Sequence, residues 1–157
     1  MLSKNKKGIF GGLASLLILS IALFSFSSPM GGDVFQIYLN NKMVLQEFVH
    51  NSKGVKSLNL DNASLNDQIS VHYSHCGTIG KSRHIALKND DGKVLKQWNF
   101  ADADGKVAGM TISVKDVVSV QKANGGNSVE LYYSAKELPR GMQLASINMG
   151  ALAKAKP

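Results

Sequence analysis

A chain of 157 residues, 44% hydrophobic and 18% charged, is the size of one domain with a real core, and its composition excludes collagen-like and low-complexity classes. The formal net charge of +7 is scattered, without the focused basic stripe and stacking aromatics that nucleic-acid binding needs. A single cysteine, Cys76, excludes an internal disulfide, so the fold must stand on packing alone.

At the N-terminus Lys4, Lys6 and Lys7 precede an uncharged run from Ile9 to Phe26 that ends among Ser25, Ser27 and Ser28. A basic stretch, an apolar stretch and small residues in that order make an export signal. The run has 18 residues, between a cleavable signal and a spanning helix. Gly11, Gly12, Ser15 and Ser20 dilute it, and Ser25-Phe26-Ser27 suits a cut before Ser28. Residues 1–27 are therefore expected to be a signal peptide or an uncleaved N-terminal transmembrane anchor helix, with 28–32 as a linker. In either case the rest of the chain is exported, periplasmic or extracellular, and the lysines stay on the cytoplasmic side. Without those lysines 15 basic and 11 acidic residues remain, a net +4 that suits solubility.

From residue 33 the hydrophobic period is 2. Val34–Asn40 places Phe35, Ile37 and Leu39 on one face, Asn40-Asn41 is a tight turn, and Met43–Val49 returns. Val55–Leu60 is a short strand carrying Leu58. Gln68–Cys76 follows, with Ile69, Val71, Tyr73 and His75 on one face. Arg83–Asn89 puts Ile85 and Leu87 inward. Asp91-Gly92 predicts a type I′ hairpin turn, after which Val94, Trp98 and Phe100 share a face. Met110–Val114 alternates again. Asp116–Val120 reads equally as a strand or a single helical turn. Val129–Ala135 alternates through Leu131 and Tyr133, Glu137–Gly141 turns at Pro139, and Met142–Asn148 is the last strand.

Eight or nine short strands without a long amphipathic helix predict an all-β chain: one antiparallel β-sandwich over 33–150, with 151–157 as a disordered basic tail. The inside is expected to hold Phe35, Ile37, Leu58, Ile69, Val71, Ile85, Leu87, Trp98, Ile112, Leu131 and Tyr133.

The densest group of reactive side chains lies between His72 and His84, at a strand end, a glycine-punctuated loop and the next strand. Gly80-Lys81-Ser82 ends like a phosphate loop, but the first glycine of that motif would fall on His75 and a strand follows where a helix is required. A copper or zinc site would draw on His72, His75, Cys76 and His84, whose imidazole and thiolate chemistry is right. The spacing opposes it: His72 and Cys76 lie about 13 Å apart on a strand rising ~3.3 Å per residue, and His75 and Cys76 point to opposite faces. A nucleophilic Cys76 paired with His75 or His84 lacks the helix N-terminus that usually lowers a thiol's pKa. Loops joining rigid strands commonly carry binding residues, so His75, Cys76, Arg83 and His84 are the candidate binding group, with His75 and Arg83 expected at the rim of the core. The ordinary alternative is that they close the end of the sandwich.

Asp102-Ala103-Asp104-Gly105 lacks the calcium-loop spacing, and no serine has a nucleophile-elbow setting. The expectation is an exported, non-catalytic binding or structural protein of the bacterial cell envelope. It needs no cofactor, its partner is an envelope or extracellular protein, it binds no nucleic acid, and it meets the membrane only through residues 9–26. A small metal-binding protein and a cysteine-dependent enzyme are the alternatives.

Overall fold

Among the described residues, alternation sorts the side chains of nine strands into an inside and an outside. The computed structural model describes residues 32–51, 54–102, 109–126 and 128–149, all within the unit that begins at Gly31. The expected signal or anchor (1–27) and the basic tail (151–157) lie outside the described residues, as does most of the linker. Among the described residues no helix is long and apolar enough to cross a membrane.

The strands are β1 (Val34–Leu39), β2 (Lys42–Phe48), β3 (Lys56–Asn59), β4 (Gln68–Ser74), β5 (Arg83–Lys88), β6 (Val94–Phe100), β7 (Met110–Ser113), β8 (Val129–Ala135) and β9 (Leu138–Asn148). One helix, α1 (Val114–Ala123), follows β7, and a 3-10 turn spans Val49–Asn51. The strands form two sheets, a four-stranded one in the order β2-β1-β4-β7 and a five-stranded one in the order β3-β9-β8-β5-β6. This β-rich arrangement is consistent with a sandwich: the inward rows of both sheets join in one buried cluster. Phe35, Ile37, Ile69, Val71 and Ile112 come from the first sheet, and Leu58, Ile85, Leu87, Leu131 and Tyr133 from the second. Each such side chain contributes roughly 1.5–3 kcal/mol of transfer free energy. Trp98 is half-buried, because β6 is an edge strand, and Val94 on the same strand is exposed.

Four local expectations need correction. The sheets are not antiparallel throughout: β3 runs parallel to β9, with Leu58 opposite Ile147. A strand reached by a long connection, rather than a hairpin, is free to take either direction. The ambiguous segment at 116–120 is the middle of α1, ten residues long. The Ser113 hydroxyl accepts from the Asp116 N–H at 3.0 Å and caps its start, while Val114, Val117, Val118 and Gln121 form its buried stripe.

The type I′ geometry belongs to Asn40-Asn41, both in the left-handed region (φ 47° and 66°), rather than to Asp91-Gly92. Between β5 and β6 only Gly92 has positive φ, in a longer loop closed by the Gly92 N–H to the Asn89 carbonyl. Finally, the turn before β9 lies at Lys136-Glu137 and Pro139 is already in the strand, where its exposed position tolerates the missing N–H.

The two sides of the molecule close differently. On one, α1 follows β7 and Lys96 of β6 reaches Asp116 at 2.8 Å. On the other, the edge strands β2 and β3 meet through Lys56 and Glu47 at 3.0 Å. Beside that pair lies an open cleft of about 290 Å³ whose walls include Phe35, Val55, Met142 and Leu144.

Candidate functional site

The inward row of β4 ends in Tyr73 and is continued by His75 just past the strand, and the inward row of β8 carries Tyr133 next to its last member, Ala135. Because β1 and β4 are antiparallel with Val34 opposite Ser74, Asp33 comes to lie beside His75. The result is a polar group at one end of the apolar core. Asp33 Oδ2 accepts from the Tyr73 hydroxyl at 2.8 Å and lies 3.2 Å from His75 Nδ1. His75 Nε2 is 3.0 Å from the Tyr133 hydroxyl. The carboxylate can only accept, so Nδ1 carries a proton; in the neutral ring Nε2 then accepts from Tyr133. The two tyrosine rings stack across the sheets with centroids 4.2 Å apart.

Burial and the Asp33 hydrogen bond push the Tyr73 hydroxyl far above its usual titration range. Tyr133 is pushed up to about 12, chiefly by burial, against the opposing charge of Arg83. Neither phenol ionises near neutrality, so both serve as hydrogen-bond donors.

Gly80 seals this group. A Cβ at that position would lie 2.5 Å from the Tyr133 hydroxyl oxygen and 2.8 Å from His75 Nε2. The loop around it is held by carboxylates on successive amides: Glu137 accepts the Lys81 N–H at 2.9 Å and Asp102 the Ser82 N–H at 2.6 Å. The Lys81 N–H bond holds the Glu137 carboxyl below its usual range.

The candidate residues divide among three environments. His75 and Arg83 are buried at this end and both act on Tyr133, one through a hydrogen bond and the other through its charge. The Arg83 guanidinium donates to the Ala101 carbonyl at 2.6 Å. Cys76 does not extend the strand. It sits exposed in a turn with φ 48°, its thiol 3.6 Å from Asp33 Oδ1. Loss of hydration, the hydrogen bond to Asp33 and that carboxylate's charge raise its pKa, which disfavours the nucleophilic thiolate.

His84 points to the outer face of β5, where it meets Asn99 at 2.8 Å. His72 points to the outer face of β4, near Ser70 and edge-on to Tyr38. Of the four residues weighed as metal ligands, His72 and His84 thus lie away from His75 and Cys76, and among the described residues no group of three or more His, Cys, Asp or Glu side chains is placed to hold a metal ion.

Asp33, Tyr73, Tyr133 and Gly80 complete the group that sequence reasoning located only through His75 and Arg83. Tyr73 and Tyr133 are visible as polar-tipped residues near the ends of inward rows. Asp33 gives no local signal, since its partner is 42 positions away.

No protein-family model, no curated protein and no solved structure matches the chain.

Proposed function

We propose that the chain is an exported, non-catalytic β-sandwich of the bacterial cell envelope that binds or packs against another envelope or extracellular component. The export part rests on the order of lysines, apolar run and serines at residues 4–28. The non-catalytic part rests on one observation: Asp33, Tyr73, His75 and Tyr133 are bonded to one another at the end of the core. Both ring nitrogens of His75, both tyrosine hydroxyls and the Asp33 carboxylate have internal partners. Such mutual bonding stabilises the end of the core, and that structural role is the one proposed for the group. The thiol of Cys76 faces a carboxylate that opposes its activation.

The test pairs two measurements. A reporter active only outside the cytoplasm, fused after Pro157, is expected to be active; an inactive reporter would defeat export. Cross-linking in whole cells is expected to join the chain to an envelope component and to persist in His75→Ala at a temperature where that variant is folded. Cross-links that vanish while the fold remains would return the cluster to a binding role.

A further inference from the structure

The outer face of the four-stranded sheet has an unusual composition. The register places Gln36 opposite Gln46 and His72, and Ser70 opposite Tyr38 and Thr111, all on the side away from the core. Among the described residues, the outward positions of β1, β2, β4 and β7 carry no Asp, Glu, Lys or Arg. The outer face of the other sheet does carry charge, at Lys88 and Glu130. An ordinary solvated strand face mixes charges of both signs. This one instead presents amides, hydroxyls, an imidazole and aromatic rings, together with the aliphatic Val34 and Met43.

The side chains are also linked across strands. The Tyr38 hydroxyl donates to Gln36 Oε1 at 3.1 Å, and Gln36 Nε2 donates to Gln46 Oε1 at 2.8 Å. The Thr111 hydroxyl donates to the Ser70 oxygen at 3.2 Å, and Ser70 lies 3.4 Å from His72 Nε2. Tyr38 and His72 meet edge to face with centroids 5.0 Å apart. Gly109 protects this order, because a Cβ there would run into the Ser70 hydroxyl and come 2.7 Å from His72 Nε2. A ladder already held in place loses little side-chain entropy when a ligand arrives.

We infer that this face binds a neutral polysaccharide chain. Sugar hydroxyls are donors and acceptors at once, as are the amide and hydroxyl groups displayed here. The C–H faces of a pyranose ring are apolar and match the exposed Phe48 ring and the half-exposed Tyr38. A charged ligand would find no counter-charge among the described residues of the face and would lose hydration without compensation. The inference rests on the binding part of the reading above and is independent of the cluster around His75.

The test is electrophoresis of the full chain through native gels containing dextran, laminarin or xylan, with heparin as the anionic comparison. Retardation by at least one neutral polysaccharide is expected, weakened at least five-fold in Tyr38→Ala and His72→Ala and unchanged in Lys88→Ala. Circular dichroism and melting curves verify that the variants fold. Gln36→Ala, whose side-chain bonds to Tyr38 and Gln46 lie on this face, replaces any that does not. Migration unaffected by all three neutral polymers, retardation by heparin alone, or retardation that survives both substitutions would overturn the inference. None of those results bears on whole-cell cross-linking to an envelope component, so the two readings fail separately.

Discussion

His72 and His75 lie three positions apart on one stretch of chain and have opposite roles. His75 is turned into the core, with Asp33 on one ring nitrogen and Tyr133 on the other. His72 is turned outward, with one long contact to Ser70 and an edge-on neighbour in Tyr38. The strand's two-residue period alone separates them. The same side-chain chemistry is therefore fixed in one place and displayed in the other. Residue type says little about function until the face is known.

The comparison is sharpest where substitution removes most of the inner group. Tyr133→Ala is expected to cost about 3–5 kcal/mol, the range for large aromatic truncations in cores, because a fully buried ring stacked on Tyr73 disappears. Chemical denaturation measures it. His75→Ala is expected to cost about 1–3 kcal/mol, since Tyr133 loses its acceptor and Asp33 a donor. Gly80→Ala belongs in the same range through overpacking against the Tyr133 hydroxyl and the His75 ring.

Ser113→Ala removes the cap of α1 and is expected to cost about 1 kcal/mol. His72→Ala, on the displayed face, is expected to stay within about 0.5 kcal/mol. A loss at His72 as large as that at His75 would break the comparison.

Alkaline titration tests the inner group by a different route. Tyr133 is held protonated in the fold up to about 12, above the ordinary phenol value of 10.0. The folded state therefore binds a proton that the unfolded chain releases first. Its contribution is fully present below pH 10 and is lost as pH rises through about 12. Unfolding free energy is expected to fall across that window, and Tyr133→Phe is expected to flatten the fall.

Much of the fold could be read from alternation, because burial of one face forces it. Phe35 and Ile37, Ile69 and Val71, and Leu131 and Tyr133 are buried on the rows where the pattern places them. What escaped depends on partners distant in sequence. The parallel pairing of β3 with β9 leaves no mark in either strand. Asp33 reaches His75 only because β1 and β4 adopt one register. The helix α1 did carry a signal in its Ser113–Asp116 cap and its stripe at 114, 117, 118 and 121, but four valines in ten residues also read as strand. At the candidate site the cluster's address was legible, whereas its division between two faces and a turn required the backbone.

The parallel seam between β3 and β9 also sets an order of events during synthesis. Lys56–Asn59 can reach its neighbour only after Ala145–Asn148 has been made, so the five-stranded sheet stays unfinished until almost all of the described chain has left the ribosome. Such distant pairing slows folding, since a long loop must close before any contact repays it. Under the export proposed above, a chain that crosses the membrane unfolded would gain from that delay: the last of the described strands is the one that locks the sheet.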